Sequence, residues 1–246
     1  MGRIKRGYVR EIPSDELKRD YRLFAIACEG SKREKEYFQQ LEGISSRVVV
    51  EYIEDQEYVK DPPSSPQHVL RRAIEYAESN ALNDEDSVWL VMDVDRWGDK
   101  ALNEVNEECK QRQNWHTVIS NPCFEIWLLY HTNDDISKLN IGTSKDCKTT
   151  LDAQTPTGYD PKRYIVLIKD ALRNAKNADQ SKGWYPEPGN TKMHALIEAL
   201  MKFVSVICVL IAVFENNFRT LYALLICLVL MWGDTNTYIL MIYRLV

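Results

Sequence analysis

The stretch 88-VWLVMDVDRWGD-99 decides how the rest of the chain reads. Val88 to Met92 is an unbroken apolar run, the pattern of a strand buried on both faces. It ends on two aspartates, Asp93 and Asp95, separated by a single residue. Side chains i and i+2 of a strand point the same way, so the two carboxylates would stand together and repel. A cation between them resolves the repulsion. The plainer reading is a pair of acids capping the turn before a helix that starts near Gly98.

Working outward, short apolar runs alternate with helical patterns. YRLFAIAC (Tyr21 to Cys28) reads as a strand that stops at Glu29-Gly30, and KREKEYFQQLEG follows as a helix with Gly43 at its C-terminal cap. RVVVEYIE is β-branched and reads as a strand. DPPSSP (Asp61 to Pro66) is a loop whose Ser65-Pro66 opens a helix with apolar positions at Val69, Ala73, Ile74 and Ala77. After the decisive stretch come a helix (DKALNEVNEECKQRQ), a strand (WHTVISN) and a helix opening on Pro122 (PCFEIWLLYH). Asn133 to Tyr159 is polar and reads as an insertion or loop. Pro161 to Asp179 reads as one helix, QSKGWYPEPGN as a loop, and TKMHALIEALMK as a last helix capped by Asn190 or Thr191. Such alternation predicts βαβ units, hence an α/β fold with a parallel sheet flanked by helices.

Composition narrows the function. The 246 residues carry a net charge of -5, which argues against coating nucleic acid by charge alone. Six cysteines and four histidines are scattered without metal-ligand spacing, so reduced thiols in a cytoplasmic protein are expected. MGRIKRGYVREIP is basic and lacks the apolar core of a signal peptide. At Phe203 the composition changes. FVSVICVLIAVF and LYALLICLVLMW, twelve residues each, flank ENNFRT. Each run is shorter than the roughly 20 residues of a membrane-spanning helix. Residues 1–202 therefore read as the domain and 203–246 as an apolar tail. The tail is a membrane hairpin or anchor, a dimerisation element joining two copies of the chain, or an end foreign to the fold.

In a parallel sheet ligands collect at the carboxyl ends of strands. Glu29, Asp93 and Asp95 all fall there, and oxygen ligands without His or Cys suit Mg²⁺ or Mn²⁺. Glu125 lies in the first turn of an apolar helix, where it either complements the helix dipole or adds a carboxylate to the site. Glu34 and Tyr37 fit a solvated helix face. Lys32 and Arg33 are placed to meet phosphates, as any surface pair is. His131, six residues after Glu125, lies off that face and reads as structural.

Four islands, ACEGSKREKEYF, VMDVDRW, ISNPCFEIWLLYH and PGNTKMHALIEAL, resemble the RloB family in order and spacing over about the first 200 residues. Members accompany restriction-modification and other phage-defence loci and resemble the Toprim domains of topoisomerases, primases and OLD-type nucleases. The resemblance implies a Toprim-like, Rossmann-like sheet with added C-terminal helices. It implies a general acid or base at Glu29 and Mg²⁺ ligands at Asp93 and Asp95. Its EG…E..YF pattern maps onto Glu29, Gly30, Glu34, Tyr37 and Phe38. Its SNPxFExW segment maps onto Ser120, Asn121, Pro122, Phe124, Glu125 and Trp127, and Trp97 closes the second island. On this reading Glu125 joins the site, and Lys32, Arg33 and Asn121 contact substrate. Arg33 stands where the family usually has Thr, and the tail from Phe203 has no counterpart. The implied function is Mg²⁺-dependent cleavage of RNA or DNA in phage defence, with an ATPase as controlling partner. The alternative is a non-catalytic binding module whose apolar tail docks at a membrane or partner.

Overall fold

Along the first strand, β1 (Arg22–Cys28), Leu23, Ala25 and Ala27 point to one face and Phe24, Ile26 and Cys28 to the other, and both sets are buried. A strand hidden on both sides must be central. The computed structural model, which describes residues 21–30, 32–54, 65–80, 82–94 and 97–204, places it so. With β2 (Val48–Tyr52), β3 (Ser87–Asp93) and β4 (Trp115–Ser120) it forms a parallel sheet in the order β2-β1-β3-β4. β3 is equally apolar, whereas the edge strand β2 alternates buried Val48, Val50 and Tyr52 with exposed Val49 and Glu51.

Helices cover both faces. α2 (Pro66–Ser79) and α3 (Gly98–Lys110) pack Val69, Ala73, Leu102 and Val105 on the face of Leu23, Ala25, Leu90 and Met92. α1 (Arg33–Gln39) and α4 (Glu125–Leu129) bring Tyr37, Phe38, Ile126 and Trp127 to the face of Ile26 and Val91. That second core also takes residues of α5 (Ser144–Gln154), α6 (Pro161–Val166), α7 (Ile168–Ala178) and α8 (Met193–Met201). The connection through α1 runs outward from β1 to β2. The one through α2 returns past β1 to β3, and α3 continues to β4. The chain thus leaves β1 and β3 in opposite directions, which opens a crevice beyond their carboxyl ends.

Several local expectations are corrected. The polar stretch 133–159 is not a loop. It holds a 3₁₀ turn (Ile136–Leu139) and α5, whose start is a capping box of Thr143 with Asp146. Pro161 to Asp179 is two helices, because the Leu167 N–H bonds to Tyr164 O three residues back and tightens the chain there. The helix after β4 begins at Glu125 and not at Pro122: Pro122 O accepts from Val94 N at 3.1 Å, and the first turn closes from Ile126 N to Cys123 O at 3.0 Å. α1 ends at Gln39, with Gln40 as its cap in place of Gly43. No side chain caps α8, although Thr191 Oγ1 accepts from Met193 N. The N-terminal residues 1–20, most of the DPPSSP loop, Asp95 and the tail from 205 onward lie outside the described residues. Among those described, no helix is long and apolar enough to cross a membrane.

The outer edge of β4 is closed by the segment before α8. Lys192 N donates to Ile119 O at 2.8 Å, Asn121 N to Asn190 O at 2.9 Å, and the Ser120 and Thr191 hydroxyls meet at 2.7 Å. Behind this segment the Lys192 ammonium is buried against Asp179 Oδ2 at 2.5 Å and Ser181 Oγ at 2.7 Å. His194 Nε2 approaches the same Asp179 oxygen at 2.9 Å. These donors outweigh the cost of burial and hold the Asp179 carboxyl below its usual range. Removing one partner of a buried pair strands the other charge. Lys192→Met is therefore expected to lower the unfolding free energy by roughly 3 kcal/mol, the low end for such a break because His194 and Ser181 still face Asp179. Urea unfolding at neutral pH measures it. A loss under about 1 kcal/mol, the scale of a surface pair, would show that the pair does not anchor the segment.

Candidate functional site

The Glu29 carboxylate sits at the junction of β1 and β3 and is held from two sides. Its Oε2 accepts from the Asp93 backbone N–H at 3.2 Å, and its Oε1 accepts from the Trp97 indole N–H at 2.6 Å. Its own N–H continues the ladder to Val91 O at 3.0 Å. The turn beneath is pinned as well. The Arg72 guanidinium donates to Cys28 O, and the Tyr52 hydroxyl donates to Gly30 O at 2.8 Å. The Glu29 carboxylate thus meets the Asp93 backbone amide where the strand order opens the crevice.

A second acidic group lies on the α1–α4 side. Glu125, at the start of α4, is buried and pairs with Arg33 at 2.9 Å, while the other guanidinium nitrogen of Arg33 reaches Asp152 of α5 at 3.0 Å. Tyr159 donates its hydroxyl to Arg33 O, and its ring faces the guanidinium at 5.9 Å. Arg33 therefore joins α1, α4 and α5, and its charge is shared by two carboxylates. Between the two groups lies Glu34. Burial raises its carboxyl from the ordinary 4.5 to about 7, the Glu125 and Glu29 charges add to the rise, and Lys148 of α5 opposes it. Gly30 makes room for this side chain, because a Cβ there would stand 2.0 Å from Glu34 Oε1.

The other motif residues support the fold around these acids. Tyr37 donates toward His131 Nε2 at 3.3 Å, and His131 Nδ1 bonds to Trp127 O at 2.9 Å, all within the core beneath α4. Phe124 packs edge-on against Tyr37 at 5.7 Å. Asn121 donates its amide to Pro186 O at 3.0 Å, and Ser120 O and Pro122 O both accept from Val94 N. Lys32 is exposed at the N-terminal cap position of α1. Sequence reasoning missed Asp152, Lys148 and Tyr159, whose stretch carries no strong period. It also missed Trp184 and Tyr185, passed over in a loop although KGWY interleaves a cation with aromatics.

All the site donors are oxygens, which suits a hard divalent cation. Among the described residues no three His, Cys, Asp or Glu side chains converge closely enough to hold an ion by themselves. Mg²⁺ needs no such cage, because it keeps several waters and takes one or two carboxylates. Glu29 beside Asp93, with Glu34 and Glu125 nearby, offers a donor set of carboxylate oxygens whose chemistry fits such an ion.

A parallel Rossmann-like sheet with acids at the reversal of strand order defines the class, an α/β domain whose crevice opens beyond β1 and β3. The family model for RloB-like protein matches residues 24–200, and the chain belongs to that family. No curated protein and no solved structure gives a significant match. The matched range runs from β1 to the last turn of α8 and so takes in both acidic groups and Trp97.

The Glu34 environment has a testable sign. Between pH 4.5 and about 7 the folded chain keeps a proton on Glu34 that the unfolded chain has released. Stability from this group therefore falls as pH rises through that window and levels off above it. His131 acts oppositely. Burial lowers it from 6.5 to about 3, so its contribution rises with pH between those values. The difference between wild type and Glu34→Gln cancels the His131 slope. In chelator, the Gln variant is expected to gain on wild type with rising pH, reaching on the order of 1–3 kcal/mol near pH 8 once residual water access is allowed for. Denaturant unfolding across pH measures the difference. A flat one would mean that Glu34 is not held in this environment.

Proposed function

We propose that the protein is a Mg²⁺- or Mn²⁺-dependent hydrolase of phosphodiesters in RNA or DNA, acting in defence against phage. The observation that carries the reading is the meeting of Glu29 with Asp93 at the carboxyl ends of β1 and β3, in a chain of the RloB-like family. The Toprim resemblance of that family, with a glutamate after the first strand and a DxD after a later one, supports the same assignment. Asp93 and Asp95 would hold the cation, with Glu125 as a further carboxylate. When bound, the cation would polarise the phosphoryl oxygens and neutralise charge gathering on phosphorus.

The chain's own residues do the rest. Glu29 is oriented by Asp93 N and the Trp97 indole at the carboxyl ends of β1 and β3, and it takes a proton from the attacking water. The water oxygen bonds to phosphorus as the P–O ester bond breaks, and the departing oxygen receives a proton from solvent. The products are a phosphate monoester and an alcohol. Arg33 keeps the buried Glu125 carboxylate in place. A controlling ATPase fits a nuclease that must be kept from its own cell.

Asp93 supplies the reading with its test. Asp93→Ala is expected to abolish metal-dependent hydrolysis, a loss of about 100-fold or more, while far-UV circular dichroism and the melting temperature stay near wild type. Mg²⁺ or Mn²⁺ binding by calorimetry should fall in parallel, most completely in the Asp93→Ala, Asp95→Ala double variant. Full activity in a folded Asp93→Ala protein would remove Asp93 from the site and the reading with it.

A further inference from the structure

The loop before α8 is fixed far more firmly than a connection needs. Its entry is tied by the buried Lys192–Asp179 pair and by Ser181, whose hydroxyl bonds to Asp179 at 2.8 Å and reaches Tyr185 O at 3.3 Å. Its exit is tied by Asn121, through the amide bond to Pro186 O and the backbone bond from Gly189 N to Asn121 O at 2.9 Å. Between these anchors stand Trp184 and Tyr185, with ring centroids 5.5 Å apart and planes nearly perpendicular. Both rings are partly buried and pack against the core beneath α3. The Tyr185 hydroxyl bonds to Asp99 Oδ1 at 2.7 Å, which fixes that ring.

Asp99 lies two residues past Trp97, whose indole holds Glu29. The loop that carries the aromatic pair is tied to Asn121 just past β4 and, through Asp99, to the start of α3, so it lies at the end of the sheet where the crevice opens. Exposed Lys182 and Lys100 flank it, one on the loop and one in the first turn of α3. Among the described residues neither lysine forms an ion pair. Rigid, half-exposed rings beside lysines at the mouth of an acidic phosphodiester site match one kind of ligand. Bases stack on aromatic faces, and neighbouring cations meet the phosphates between them. A duplex hides its base faces and would have to be gripped by charge, which a chain of net charge -5 does not offer.

We infer that Trp184 and Tyr185 form a stacking platform that delivers single-stranded nucleic acid to the crevice. The inference rests on the proposed hydrolase reading and adds to it the form of the substrate. Trp184 and Tyr185 touch bases and take no part in proton transfer or metal binding.

The test uses the full chain and fluorescein-labelled oligo-dT, oligo-U and a mixed-sequence duplex, titrated in EDTA and again in Ca²⁺. Single strands are expected to bind more tightly than the duplex and to quench tryptophan fluorescence. Trp184→Ala combined with Tyr185→Ala should weaken single-strand binding about tenfold or more, while Mg²⁺ uptake by calorimetry is unchanged. Trp184→Phe and Tyr185→Phe should retain most of the affinity, and the exposed Lys182→Glu should weaken it without touching the core. Equal wild-type affinity for strand and duplex, no binding in either buffer, or unchanged binding by the double-alanine and Lys182→Glu variants would each overturn the platform. The oligo-dT and oligo-U arms show which sugar is preferred. Absence of hydrolysis by a wild type that binds single strands would defeat the hydrolase reading and leave the platform standing.

Discussion

Everything at the crevice depends on one carboxylate with two donors. Glu29 has to leave β1 and still belong to the sheet, and it does so by accepting from the Asp93 amide and the Trp97 indole. Those bonds tie the end of the first strand to the end of the third, which lie 64 residues apart in the chain. They also bring together two of the sequence islands, the one that holds EG and the one that holds MDVDRW. A carboxylate fixed on both oxygens costs little further ordering when a ligand arrives, and that is the physical content of a preorganised site.

The second acidic group solves a harder problem. Glu125 is buried at the start of a helix, where the dipole favours it, yet a buried charge also needs a partner. Arg33 is that partner, and its planar fork lets one residue serve Glu125 and Asp152 together. A threonine at position 33, the usual residue in the family pattern, could not bridge them. The departure noted in the sequence therefore falls on a residue that joins three helices here.

Much of the sheet was legible because β1 and β3 are continuous apolar runs and α2 and α3 keep a clean helical period. Their order fixed where Glu29 and Asp93 would fall. α5 was not legible. Only Cys147 and Leu151 are buried along it, too few to stand out as a stripe, and the capping box of Thr143 and Asp146 was its one clear mark. The pairs that complete the site were hidden for a different reason. Arg33 and Glu125 are 92 residues apart, and Arg33 and Asp152 are 119 apart, so no local pattern records them. Trp97 was visible as the end of a motif, but the direction of its indole was not.

The sharing of Arg33 also makes α5 and the crevice thermodynamically one system. If α5 moved away, Asp152 would go into water at little cost. Arg33 would then be held by Glu125 alone, with more freedom to follow solvent. The charge balance around Glu125 and Glu34 would shift with it. By reciprocity, whatever the docking of α5 contributes to the charge balance at Glu125 through Arg33, that charge balance contributes equally to the docking of α5. A helix that the sequence presents as an insertion is therefore a lever on the site, and the force it transmits runs both ways.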